Sequence, residues 1–152
     1  MVRSLAAYVS AVLITAVLGS VSHSLFIQQA FVDATAASGS GVAEAIPMAD
    51  RIGWITHDLI GLEPLYGGLI AVALFIAFLV AGLVARFTGL RAIVFAVAGA
   101  IAMFVMFRIM RMELGTVGVF GARSMMGLGA QMMVGFLGGL LFAMISRQQA
   151  ES

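Results

Sequence analysis

Apolar and polar positions alternate along this chain in long blocks. Residues 5–27, 66–85, 92–107 and 124–145 contain no Asp, Glu or Arg. Each block is close to the ~20 residues that a helix needs to cross a bilayer core. Nearly every charge falls between the blocks or at the chain ends. The pattern predicts an all-α membrane protein, a four-transmembrane-helix bundle. Its spans are expected at about 5–27, 65–85, 92–110 and 124–146 within a single domain, 1–152.

The connection between spans one and two, about 28–64, has two parts. Residues 33–45 are rich in Ala, Ser and Gly and read as a loop. In 47–62, Met48, Ile52, Ile55, Leu59 and Leu62 recur at helical spacing, with Asp50, Arg51 and Asp58 turned elsewhere. Pro47 suits a helix start, and Pro64 is expected to end this helix and open span two. The segment therefore reads as a short interfacial amphipathic helix between spans one and two, with Trp54 at headgroup level. The alternative is an extramembrane helix packed on the bundle. Arg86-Phe87-Thr88-Gly89-Leu90-Arg91 is a tight turn between spans two and three. Gly115, Gly118 and Gly121 are expected to break the helix after span three.

Met1-Val2-Arg3, the apolar run behind it and Ala34-Thr35-Ala36 have the outline of a signal peptide. The run continues past Gly19 to Ile27, so it is read as an uncleaved span. Arginine placement is balanced. Arg3, Arg86, Arg91 and Arg147 share one side, and Arg51, Arg108, Arg111 and Arg123 the other. Six of the seven acids lie on the long-loop side, where they can pair with its arginines. Both termini are accordingly expected in the cytoplasm.

Composition narrows the chemistry. The chain is 62% hydrophobic and 10% charged, against ~25% charged in soluble domains. It has no cysteine and no lysine, which excludes disulfides, thiolate ligands, Schiff bases and a P-loop lysine. No basic patch points to nucleic acid.

Small residues at every fourth position make ridges along which membrane helices approach closely. Span four carries Gly127, Gln131, Gly135, Gly139 and Ala143 on one line. Gln131 there is placed to hydrogen-bond across an interface. Span two carries Ala73, Ala77, Ala81 and Ala85, and span one carries Ala7, Ala11, Thr15, Gly19 and His23. Packing within one molecule and an oligomer interface both use such ridges. The methionines of span four, among them Met132 and Met144, read as apolar filling.

The candidate ligand-binding residues are Arg108, Arg111, His57, Asp58, Glu63 and His23. His23 and His57 fall at similar depth and read first as structural, each imidazole bonded to a Ser, Thr or carboxylate; as a pair they can hold a haem or, with Asp58 or Glu63, a divalent metal. No His/acid spacing of a metal site is present, and no metal or other cofactor is expected. Arg108 and Arg111 share a helix face at the outer end of span three. They are expected either to clamp the first connection through Asp33, Asp58, Glu63 and Glu113, or to bind an anionic head group or small anion. No acid or arginine lies mid-membrane, which argues against ion-coupled pumping.

The stretch Thr56-His57-Asp58-Leu59-Ile60-Gly61-Leu62-Glu63-Pro64-Leu65-Tyr66 resembles a family of small four-span proteobacterial inner-membrane proteins. The likeness extends loosely over the whole chain through the span order and the long first connection. It implies architecture and a bacterial inner membrane, and no activity. No catalytic set is visible, so the expected function is non-enzymatic: an accessory or scaffold subunit, packing against itself as a homo-oligomer or against a larger membrane complex. The alternatives are an outer-facing binding or conduit protein for a lipid head group or small anion, and a haem-binding redox subunit.

Overall fold

A chain in lipid has no water for its peptide groups, so each apolar block must satisfy its own backbone as helix. The computed structural model describes residues 2–37, 47–114 and 124–148, without the side chains of 2, 3, 58–60, 62–64, 113, 114, 147 and 148. The described residues form four helices: α1 Val2–Ala37, α2 Met48–Thr88, α3 Arg91–Leu114 and α4 Met125–Gln148. Each holds an apolar stretch of at least 22 residues, long enough to span a membrane. The protein is an integral, multi-pass membrane protein. Each helix packs on its neighbours in sequence, and α4 closes the ring on α1. Neighbours run antiparallel: Tyr8 meets Ala71 while Gln28 meets Arg51.

The ends follow from local chemistry. Ser124 caps α4, its hydroxyl accepting the Gly127 N–H at 2.9 Å. Gly89 ends α2 in the left-handed conformation, φ 67°, and donates its N–H to the Ala85 carbonyl.

Two boundaries differ from the sequence reading. Helix α1 does not stop near residue 27 but continues to Ala37, so residues 33–37 of the expected loop are helical. Residues 38–46 of that loop lie outside the described residues, as do the glycines expected to end α3. The segment before span two is helical as its spacing predicts, yet α2 does not break at Pro64. It runs 41 residues without interruption. A proline inside a helix forfeits one backbone bond, and membrane helices tolerate that loss where neighbours compensate.

At ~1.5 Å per residue, α1 and α2 are about 54 and 62 Å long, against about 36 Å for α3 and α4. The first two helices thus form a hairpin that outruns the other pair. Trp54 meets Phe31 edge to face at 5.7 Å in this extension. The segment around Trp54 is therefore supported by α1.

Backbone approach is closest between α3 and α4. A Cβ on Gly139 would fall 2.7 Å from the Phe95 carbonyl carbon and 3.0 Å from the Ala96 Cα. One on Gly135 would fall 2.9 Å from the Gly99 carbonyl carbon. On the next face of α4, Gly138 makes room for Thr15 of α1. Phe107, Ile70, Leu74 and Met103 fill the centre and are fully buried.

Candidate functional site

The inner face of α1 is polar over more than three turns. Thr15, Ser20, His23, Ser24 and Gln28 recur at helical spacing, and none is more than 4% exposed. At ~1.5 Å per residue this column is about 20 Å tall. Across from it stand Gln131 of α4 and Tyr66 of α2, both buried.

Gln131 joins three helices. The Tyr66 hydroxyl donates to its Oε1 at 2.8 Å, and its Nε2 donates to the Gly19 carbonyl at 3.0 Å. Gly19 must lack a side chain here, because a Cβ would sit 2.5 Å from the Tyr66 hydroxyl. At the far end of the column, Gln28 Nε2 donates to Ser24 Oγ at 3.3 Å and to the Arg51 carbonyl at 3.4 Å. That contact ties α1 to the first turns of α2.

Thr15 Oγ1, Ser20 Oγ and Gln28 Oε1 are buried with no hydrogen-bond partner among the described residues. A buried polar group without a partner costs ~1–3 kcal/mol. Removing one should therefore relieve the bundle. Ser20→Ala is expected to hold or raise the thermal midpoint in detergent by up to the equivalent of ~1 kcal/mol. A lower midpoint would mean that Ser20 carries a bond essential to the fold.

The residues singled out from sequence differ in exposure. His23 is buried on the column, whereas His57 is exposed on α2. The side chains of Asp58, Glu63 and Glu113 lie outside the described residues. Arg108 and Arg111 are both exposed at the end of α3. Asp33, one expected partner, accepts from Gln29 Nε2 at 2.9 Å on its own helix. Among the described residues no group of three His, Cys, Asp or Glu side chains is placed to hold a metal. The span-four line Gly127, Gln131, Gly135, Gly139 and Ala143 is buried throughout, as are Gly19 and Ala81, while Ala77 is half-buried.

Sequence reasoning found Gln131 and His23 but missed Tyr66, Ser20 and Gln28. The signal available was the rarity of uncharged amides inside or beside apolar blocks, which marks Gln28 as it marks Gln131.

A second feature lies on the outside. Helices α2 and α3 enclose a groove of about 830 Å³ lined only by apolar side chains. Its α2 wall carries Ala73, Ala77 and Ala81, and its α3 wall Val94, Ala98 and Ala102. It runs from Leu69 to Val84 along α2, most of the height of that span.

No family model, curated protein or solved structure matches this chain.

Proposed function

We propose that this protein is a small non-enzymatic scaffold or accessory subunit of the bacterial inner membrane, with both termini cytoplasmic. It assembles through the groove between α2 and α3. The ridges of α1 and α4 are consumed inside the bundle, by Tyr66, by Thr15 and by the backbone of α3. The alanine ridge of α2 faces a groove still open to the outside, and that observation carries the reading. In lipid, association relies on close packing, and a groove floored by alanine offers it to one apolar helix. The spans of this chain carry many large apolar side chains on their exposed surface, so a second copy is the occupant we assign, in a self-complementary pair.

Gentle purification from native membranes with mass spectrometry of what is retained tests this. A defined oligomer is expected. Ala77→Leu, which fills the groove, should dissociate it, and so should Val97→Ala plus Ile101→Ala, which trims the wall. A folded protein that stays monomeric with nothing bound would refute the proposal. A stoichiometric foreign subunit lost in the same variants would keep the scaffold and replace the second copy.

A second reading, a binding or conduit protein, draws support from the buried polar column. It would show in the same sample as a retained small solute without a second copy.

A further inference from the structure

The bundle end that carries the α2–α3 turn holds a crevice of about 500 Å³, walled by α2, α3 and α4. Its floor is aromatic. Phe78 stacks on Phe142 at 4.6 Å, and Phe95 closes the triangle at 4.9 Å from Phe142 and 5.5 Å from Phe78. Its wall includes Leu79 and Leu83, both more than half exposed. Its polar lining comes from two arginines, Arg86 and Arg91.

The arginines are held differently. Arg91 is fixed: Nη2 donates to Ser146 Oγ at 2.9 Å, and the guanidinium lies 5.2 Å over the Phe95 ring. Most of its five N–H donors remain available to an anion. Arg91 is also the first residue of α3, where a cation opposes the helix dipole and an anion beside it is favoured. Arg86, in the last turn of α2, is exposed.

We infer that this crevice is a binding site for an anionic phospholipid, its phosphate between Arg86 and Arg91 and an acyl chain against Phe78, Leu79 and Leu83. The complementarity is twofold. Two cations and no described acid line the mouth, and the remaining lining is apolar. A free inorganic anion has no use for the aromatic floor, and a neutral apolar molecule has none for the arginines. Basic recesses between membrane helices near an interface suit such head groups. The volume falls within the ~300–1,000 Å³ of ordinary ligand sites. The site is remote from Arg108 and Arg111 at the opposite end of α3, and it does not depend on the groove reading above.

The test is native mass spectrometry of the full chain released from vesicles of equal phosphatidylglycerol and phosphatidylcholine. Two arginines near an anionic lipid, each contributing about a factor of five, predict a roughly twenty-five-fold preference for phosphatidylglycerol. Arg86→Gln plus Arg91→Gln should bring the preference to about one. Gly82→Leu should remove the bound lipid with both charges intact. A Cβ there lies an ordinary 3.9 Å from Phe95, so this variant is expected to fold and carries the test if the arginine pair does not. Arg108→Gln plus Arg111→Gln should change nothing. Lipids retained in the ratio supplied, a preference surviving in the folded arginine pair or in Gly82→Leu, or a preference lost in the Arg108 and Arg111 variant would each overturn the assignment.

Discussion

Gly139→Leu is expected to abolish the folded bundle. The position faces backbone: a Cβ would come 2.7 Å from the Phe95 carbonyl carbon and against the carbonyl oxygen as well. Flexible side chains can turn aside, but a helix backbone moves only as a unit. The substitution must therefore separate α3 from α4, the closest approach in the structure. Overpacking a core costs ~1–3 kcal/mol, and parting two helices should exceed that, at about 3 kcal/mol or more. Gly99→Leu should behave alike, since Gly99 and Gly135 meet backbone to backbone across the same seam. Gly129 supplies the control. It is on the same helix with no described atom within 4 Å of a Cβ, so Gly129→Leu should leave the thermal midpoint unchanged. Equal midpoints for Gly129→Leu and Gly139→Leu would show that the α3–α4 seam is not where it is described.

Gln131→Leu is expected to be the most damaging polar substitution. The side chain is fully buried and holds α1, α2 and α4 through Gly19 and Tyr66. Hydrogen bonds between membrane helices contribute ~0.5–2 kcal/mol each, so losing both should cost about 1–3 kcal/mol. Leucine nearly preserves the volume, which leaves the polar loss as the main effect. The bond to Tyr66 makes the two residues energetically coupled. Tyr66→Phe added to Gln131→Leu should cost less than the sum of the single variants, by about 1 kcal/mol. Additive losses in unfolding free energy would mean that the Tyr66 bond contributes nothing.

Much of this fold was legible because charge is so sharply segregated from the four blocks. The misread boundaries have physical causes. Pro64 resembled a helix break because proline stops helices in water, while α2 runs through it beside α1. Residues 33–37 resembled a loop by composition, but α1 and the start of α2 support one another through Gln28 with Arg51 and Phe31 with Trp54. Such mutual support between segments some twenty residues apart leaves no local signature.

The small-residue ridges were visible, but not what covers them. Gly99 is a single glycine in span three, and nothing in the sequence marks it as the partner of Gly135. Gly135 and Gly139 thus read first as packing within one molecule, with an oligomer seam as the alternative, and here they are occupied within one molecule. The polar column shows the same division. Gln131 stands out as an amide inside an apolar block, but its bond to Tyr66 joins residues 65 positions apart. Arg86 and Arg91 look like ordinary turn residues until Phe78, Phe95 and Phe142 converge from three helices beside them.

The central claim is that the α2–α3 groove is where this chain meets its partner. The chain has no cysteine, so Val97→Cys introduces a single thiol at an exposed position on the groove wall. A photoreactive group attached there, in native membranes, should cross-link to protein and give a species at twice the 15.9 kDa monomer mass. The same group at Leu13→Cys, on the exposed face of α1, should give only lipid adducts. Equal protein cross-linking at both positions, or none at Val97→Cys, would contradict the account.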